Sequence, residues 1–225
     1  MVKTWGKDIW EKKSVNQSGI TVSGGVVGLI RGKKKYFEGM KRIQNEISEF
    51  LKKHKDIKNI LEIGPGPDAI NARFFLSKGY DIDLADCSPN TLRLAKEKLG
   101  DAKVGLYEQD MIELDIPKKY DLIFILGTFL HCPPHLSMVT MNNFNKQLKK
   151  GGFLIIDFPI KHRMTLKKGL WEGFYSVGHK IKTKLTGKNF YVTCGEYTYD
   201  ELEDIFKRTN FKLIQHKNLW ILQKQ

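Results

Sequence analysis

A doubly wound α/β sheet of about seven strands, mostly parallel with the last one reversed, is the fold class that this sequence predicts. Three observations carry the prediction. Short apolar runs alternate with helix-spaced patterns between residues 59 and 158, which is how a parallel sheet covered by helices on both faces is written. One of those runs, Asn59-Ile-Leu-Glu-Ile63, empties directly into a turn carrying Gly64 and Gly66 ahead of a helical pattern from Ala69 to Leu76. Finally, Phe211 to Gln215 and Trp220 to Leu222 are separated by too few residues for a helical crossover, so they form an antiparallel hairpin.

The elements follow in chain order. Residues 1–35 show no clean period and read as an N-terminal arm or lid; the main domain then covers 36–225. Phe37, Met40, Ile43, Ile47, Phe50 and Leu51 recur at three- and four-residue spacing, which predicts a helix from Tyr36 to the lysines before Asp56. Tyr80 to Asp86 is a second strand ending on an acid, and Ser88-Pro89 supplies an N-cap and first-turn proline for a helix through Leu99. Lys103 to Tyr107 is a third strand and Tyr120 to Leu126 a nearly all-apolar fourth. A helix over Met138 to Leu148, the turn Lys149-Lys-Gly-Gly152 and a fifth strand, Phe153 to Phe158, come next. Thr198-Tyr-Asp-Glu201 is a capping box that opens a helix with Leu202, Ile205 and Phe206 inward.

The chemistry gathers where strands end. Glycine is needed in the turn after the first strand because a side chain would keep a ligand off the backbone, and the N–H groups of the following helix start favour electron-rich atoms. An acid closing the second strand, about twenty residues further on, suits the two hydroxyls of a ribose. Asp86 fits that place; Asp83 is a rival set further back in the strand. The same turn also satisfies a loose dinucleotide fingerprint, Gly64-x-Gly66-x-x-Ala69, but no Tyr-x-x-x-Lys pair or second nucleotide half supports an NAD-dependent reductase. Past the fourth strand, His131 stands on the ligand side of the sheet with an imidazole suited to act as a base; the alternative is a histidine that hydrogen-bonds its own loop. In His131-Cys-Pro-Pro-His135 the two prolines keep the histidines off one helical face, so no metal site is expected.

The bulk properties set outer limits. The formal net charge of +13 favours anionic partners, whether nucleic acid, an acidic membrane surface or a phosphorylated substrate, and equally describes a solvated lysine-rich surface. Three cysteines without a CxxC pair suggest neither a disulfide framework nor a zinc ribbon. Without a bilayer-length apolar run or a signal-peptide core, a soluble cytoplasmic protein is expected.

Together these residues resemble the class I S-adenosylmethionine-dependent methyltransferases, over residues 36–225. Glu62-Ile-Gly64-Pro-Gly66-Pro-Asp68 is similar to the family's acid and Gly-x-Gly-x-Gly motif, with Asp68 in place of the third glycine. Asp86-Cys-Ser-Pro89 resembles the second motif, Asp110 with Met111 the adenine-binding acid, and Asp121 to Leu126 with Gly127 and Thr128 the fourth-strand motif. Leu148 to Phe158 resembles the glycine turn and fifth strand. The resemblance implies a Rossmann-like fold and S-adenosyl-L-methionine as cofactor, with S-adenosyl-L-homocysteine as product. It also implies a cofactor set of Glu62, Ile63, Gly64, Gly66, Asp86, Cys87, Asp110, Met111, Leu126 and Gly127.

The acceptor is less legible. Residues 160–190 sit where the family often places a substrate cover; Leu166, Leu170, Phe174, Ile181 and Leu185 fall at helical spacing among lysines, a pattern that also suits an acidic membrane surface. Trp10, Tyr36, Phe37, Trp171 and Tyr191, with His131, are candidate acceptor contacts. The expected function is methyl transfer to a small molecule, similar to the ubiquinone and menaquinone methylases, with a lipid-like or biosynthetic-intermediate acceptor. An RNA-modifying enzyme using the basic surface is the alternative, and a cofactor-binding module without chemistry is a third reading.

Overall fold

The computed structural model describes residues 25–161 and 196–225, with side chains from Glu38 onward. Helix α1 (Gly25–Lys53) leads into β1 (Asn59–Ile63), α2 (Ile70–Ser77), β2 (Asp81–Asp86), α3 (Pro89–Leu99) and β3 (Leu106–Glu108). Then come β4 (Tyr120–Ile125), α4 (Ser137–Gln147), β5 (Leu148–Ile156), α5 (Tyr199–Arg208), β6 (Phe211–His216) and β7 (Trp220–Lys224), with single 3-10 turns at Met111–Glu113, Phe129–His131 and Pro134–Leu136. The seven strands stand in the order β3-β2-β1-β4-β5-β7-β6. Pairings from β3 across to β5 are parallel, and β7 runs antiparallel to both its neighbours, β5 and β6.

The sheet buries an apolar layer on each face. On one side Ile60, Ile82, Leu84, Leu122, Phe124 and Ile155 meet α1, α2 and α3; the Phe50 ring of α1 packs edge-on to Phe153 at 5.0 Å. On the other, Leu61, Ile63, Ile123, Ile125, Leu154 and Ile156 meet Met141 and Phe144 of α4 and Leu202 and Phe206 of α5. Each such large side chain, withdrawn from water, contributes about 1.5–3 kcal/mol, so the two layers hold the strands in register. At the end of the sheet away from the glycine turn, Asp121 ties three strands together. Its Oδ2 accepts the Asn59 amide at 2.8 Å and its Oδ1 meets Lys149 Nζ at 2.7 Å.

The boundaries depart from expectation in informative places. Helix α1 begins at Gly25, inside the segment read as an arm, because a run of aliphatic and lysine residues propagates helix across its glycines. The third strand starts at Leu106, not Lys103: the Gly105 amide is taken by Asp83 Oδ1 at 2.7 Å, which ties the chain to a side chain just before Leu106. The fifth strand runs from Leu148 to Ile156 and takes in the glycine turn, with a register shift between Tyr120 and Leu122. Helix α5 opens on the expected capping box, with Thr198 Oγ1 accepting the Glu201 amide and Glu201 Oε2 accepting that of Thr198. A parallel bridge between Ile160 and Tyr197 joins the two chain ends that flank residues 162–195.

Candidate cofactor and acceptor site

Register places the candidate residues in one tier. Ile63 is level with Ala85 on one side and Ile125 on the other, and Ile125 with Ile156. The next residue along each strand therefore emerges at the same edge: Asp86 from β2, Gly64 from β1, Leu126 from β4 and Asp157 from β5. The strand order reverses between β1 and β4, and ligands of open α/β sheets bind at that crevice, outside the carboxyl ends of the strands.

Gly64 and Gly66 both adopt positive φ, +69° and +65°, which side-chain-bearing residues avoid. Their surroundings differ. A Cβ on Gly64 would stand 2.1 Å from Thr128 Oγ1 and 2.9 Å from Thr128 Cβ, so this glycine lets the β1 and β4 turns touch. A Cβ on Gly66 would meet nothing within 4 Å, so that glycine opens a face to a ligand. Below the turn lies Glu62, fully buried, with Oε1 accepting Asn71 Nδ2 at 3.1 Å. Burial pushes its carboxyl up to about 7, against the modest opposing effects of Asn71 and the Ala72 amide. Its Oε2 and the Asn71 Oδ1 are both buried without a hydrogen-bond partner.

The two acids of β2 have separate roles. Asp83 is saturated by Lys118 Nζ at 2.8 Å, Tyr120 Oη at 2.9 Å and the Gly105 amide; despite its burial, those donors hold it below the usual carboxylate range. It braces β2 to β4. Asp86 lies at the strand end, where its Oδ1 accepts the Ser88 amide at 2.8 Å and half-buried Cys87 follows. Asp110 caps the turn Met111–Glu113, Oδ1 to the Ile112 amide at 3.0 Å, and burial raises it. Met111 is buried beside it.

At the β4 end, Leu126 is half-buried, and the amide of exposed Gly127 donates to Asp157 Oδ1 at 2.8 Å. His131 closes the short turn that follows, its amide on the Thr128 carbonyl at 3.0 Å and its Nδ1 buried. Cys132 is buried against Thr140 Oγ1 at 3.3 Å, and burial pushes its thiol up to about 11, which suits packing and not nucleophilic attack. Trp10, Trp171 and Tyr191 lie outside the described residues, as do the side chains of Tyr36 and Phe37. Reading by sequence named Thr128 only within the fourth-strand motif, without its contact to Gly64, and missed Asn71 and Asp157. Asp157 had a signal, an acid ending an apolar strand as Asp86 does; Asn71 had none.

A family model for the methyltransferase domain matches residues 35–216. The chain belongs to the class I S-adenosylmethionine-dependent methyltransferases. It is 36% identical over 204 residues, 84% of its length and 70% of the relative's, to malonyl-[acyl-carrier protein] O-methyltransferase 1 of Ilyobacter polytropus. It is 28% identical over 172 residues, 70% of its length and 55% of the relative's, to the malonyl-[acyl-carrier protein] O-methyltransferase of Priestia megaterium. Two solved structures share the fold. Magnesium protoporphyrin IX methyltransferase from Synechocystis PCC 6803, with bound SAH, has a TM-score of 0.65 at 17% identity and covers 99% of this chain and 100% of its own. An amino pentose methyltransferase from Micromonospora echinaspora, with bound SAM, has a TM-score of 0.62 at 13% identity, covering 92% and 100%.

The methyltransferase's own residues fit that cofactor: a glycine face open at Gly66 and an unpartnered buried oxygen on Glu62 lie where a ligand with hydrogen-bond donors would settle. When bound, S-adenosylmethionine supplies a methyl group already activated on a sulfonium. Around the crevice the chain places the open turn, acids at the ends of β2 and β5, and an imidazole beyond β4.

Proposed function

We propose that this methyltransferase methylates an oxygen of a small acid acceptor, presented as a short acyl chain on a carrier. The observation that carries the reading is the 36% identity over 204 residues to an enzyme whose name specifies malonyl-[acyl-carrier protein]. A net charge of +13 favours an anionic acceptor. The cofactor set is Glu62, Ile63, Gly64, Gly66, Asp86, Cys87, Asp110, Met111, Leu126 and Gly127, with Trp10, Tyr36, Phe37, Trp171, Tyr191 and His131 as acceptor contacts. Small-molecule methylation displaces the RNA-modifying and dinucleotide readings, and the relatives lend no support to nucleic acid or membrane as partner.

A carboxylate acceptor is an anion and needs no base, so for it His131 orients the acceptor oxygen; for a hydroxyl acceptor His131 takes the proton. The test is transfer of labelled methyl from S-adenosylmethionine to malonyl-loaded carrier protein, to a malonyl thioester of pantetheine and to tRNA. A base-labile methyl ester on the loaded carrier supports the reading. Transfer to tRNA, or to neither malonyl acceptor, contradicts it.

A further inference from the structure

Asp157 is the first residue past β5, in the tier that carries Gly64, Asp86 and Leu126. Its Oδ1 accepts the amide of Gly127, a residue of the cofactor set held at φ +67°, so the carboxylate stands at the wall of the cradle opposite Asp86. Two strand spacings, about 9.6 Å, separate the β5 and β1 ends. Among the described residues no lysine or arginine pairs with it; the influences on it are burial and the amides of Gly127 and Asp157. Asp86 in the same tier, Glu62 below the turn and Asp110 past β3 are also acids, and His131 lies beyond the β4 turn. A partly buried carboxylate without a counter-cation gains most from a positive charge that arrives with a ligand.

We propose that Asp157 is a specificity-determining residue that favours the cationic cofactor, S-adenosylmethionine, over its neutral product. The inference rests on the cofactor reading. In the transfer the acceptor oxygen forms a bond to the methyl carbon while the carbon–sulfur bond breaks, its electron pair staying on sulfur. The sulfonium charge disappears, and with it the attraction to Asp157. S-adenosylhomocysteine then leaves more readily than a site built on contacts alone would allow, which lowers product inhibition.

Calorimetric titration of the intact protein at pH 8 with each ligand tests this. Asp157→Asn keeps an oxygen for the Gly127 amide and removes the charge. It weakens S-adenosylmethionine roughly fivefold and leaves S-adenosylhomocysteine within about twofold, as expected for unit charges several ångströms apart in a half-solvated site. Asp157→Glu, which restores the charge, restores the preference. Equal weakening of both ligands by Asp157→Asn would reduce the residue to a support for the β4 turn, and unchanged affinities would remove it from the site; either overturns the inference while the cofactor reading stands. If the wild-type protein binds neither ligand, the cofactor reading falls and takes this inference with it.

Discussion

Replacing Gly64 by alanine separates the two roles that glycine plays in this cradle. The substitution holds a Cβ at φ +69°, which costs about 1–2 kcal/mol. It also drives that Cβ against Thr128 Oγ1, Cγ2 and Cβ at 2.1, 2.7 and 2.9 Å. A Thr128 rotamer change relieves the first two approaches and not the third, so the β1 and β4 turns must move apart; overpacking of this kind costs about 1–3 kcal/mol. Gly64→Ala therefore destabilises by about 2–5 kcal/mol. Gly66→Ala has the same φ penalty, about 1–2 kcal/mol, and no clash, but its methyl occupies the open face. Urea unfolding and calorimetric cofactor titration read the two quantities separately. Gly64→Ala should lose stability first, and Thr128→Ala in the same chain should return about 1 kcal/mol or more, a coupling a double-mutant cycle isolates. Gly66→Ala should fold nearly as well as wild type and bind at least tenfold more weakly. Equal stability losses at the two glycines, with no coupling to Thr128, would refute the packing argument.

Three further outcomes follow from the same geometry. Glu62 holds its proton longer in the folded chain, about 7 against 4.5, so its contribution to stability falls as pH rises from about 4.5 to about 7, by up to about 3 kcal/mol. Glu62→Gln should flatten that limb when unfolding free energies are compared at pH 5 and 7.5, and an unchanged slope would clear Glu62 of it. Asp83→Ala should cost about 2–4 kcal/mol by stranding Lys118, Tyr120 and the Gly105 amide, while cofactor affinity stays within about twofold; a large loss of affinity would make Asp83 the ribose acid after all. His131→Ala should lower turnover at least tenfold with cofactor affinity nearly unchanged, and equal turnover in the two proteins would remove it from the acceptor step.

The sheet was legible because its signals are local and redundant. Gly64, Asp86, Gly127 and Asp157 stand just past or at the ends of parallel strands, two helices open on the caps Ser88 and Thr198, and the short link between Phe211 and Trp220 admits one connection. Boundaries failed where a distant side chain decided them. Asp83 takes the Gly105 amide from more than twenty positions away and postpones β3, and the aliphatic run after Gly25 outweighs glycines that read as breaks. The site divides in the same way. The acids and glycines of one strand–turn–helix unit can be found by spacing, whereas Thr128 against Gly64, or Asn71 on Glu62, exists only once two elements meet. Asp157 lay between these cases: its position at a strand end was readable, but its bond to Gly127 needed the β4–β5 register.

We propose that the tier of strand ends from Asp86 to Leu126 binds S-adenosylmethionine. Calorimetric titration of the purified protein with S-adenosylmethionine, repeated on Asp86→Ala, tests it most directly. Micromolar-range binding by the wild type that weakens at least tenfold in a folded Asp86→Ala protein is the expected result. Equal affinity in both proteins, or no binding to a folded wild type, would contradict it.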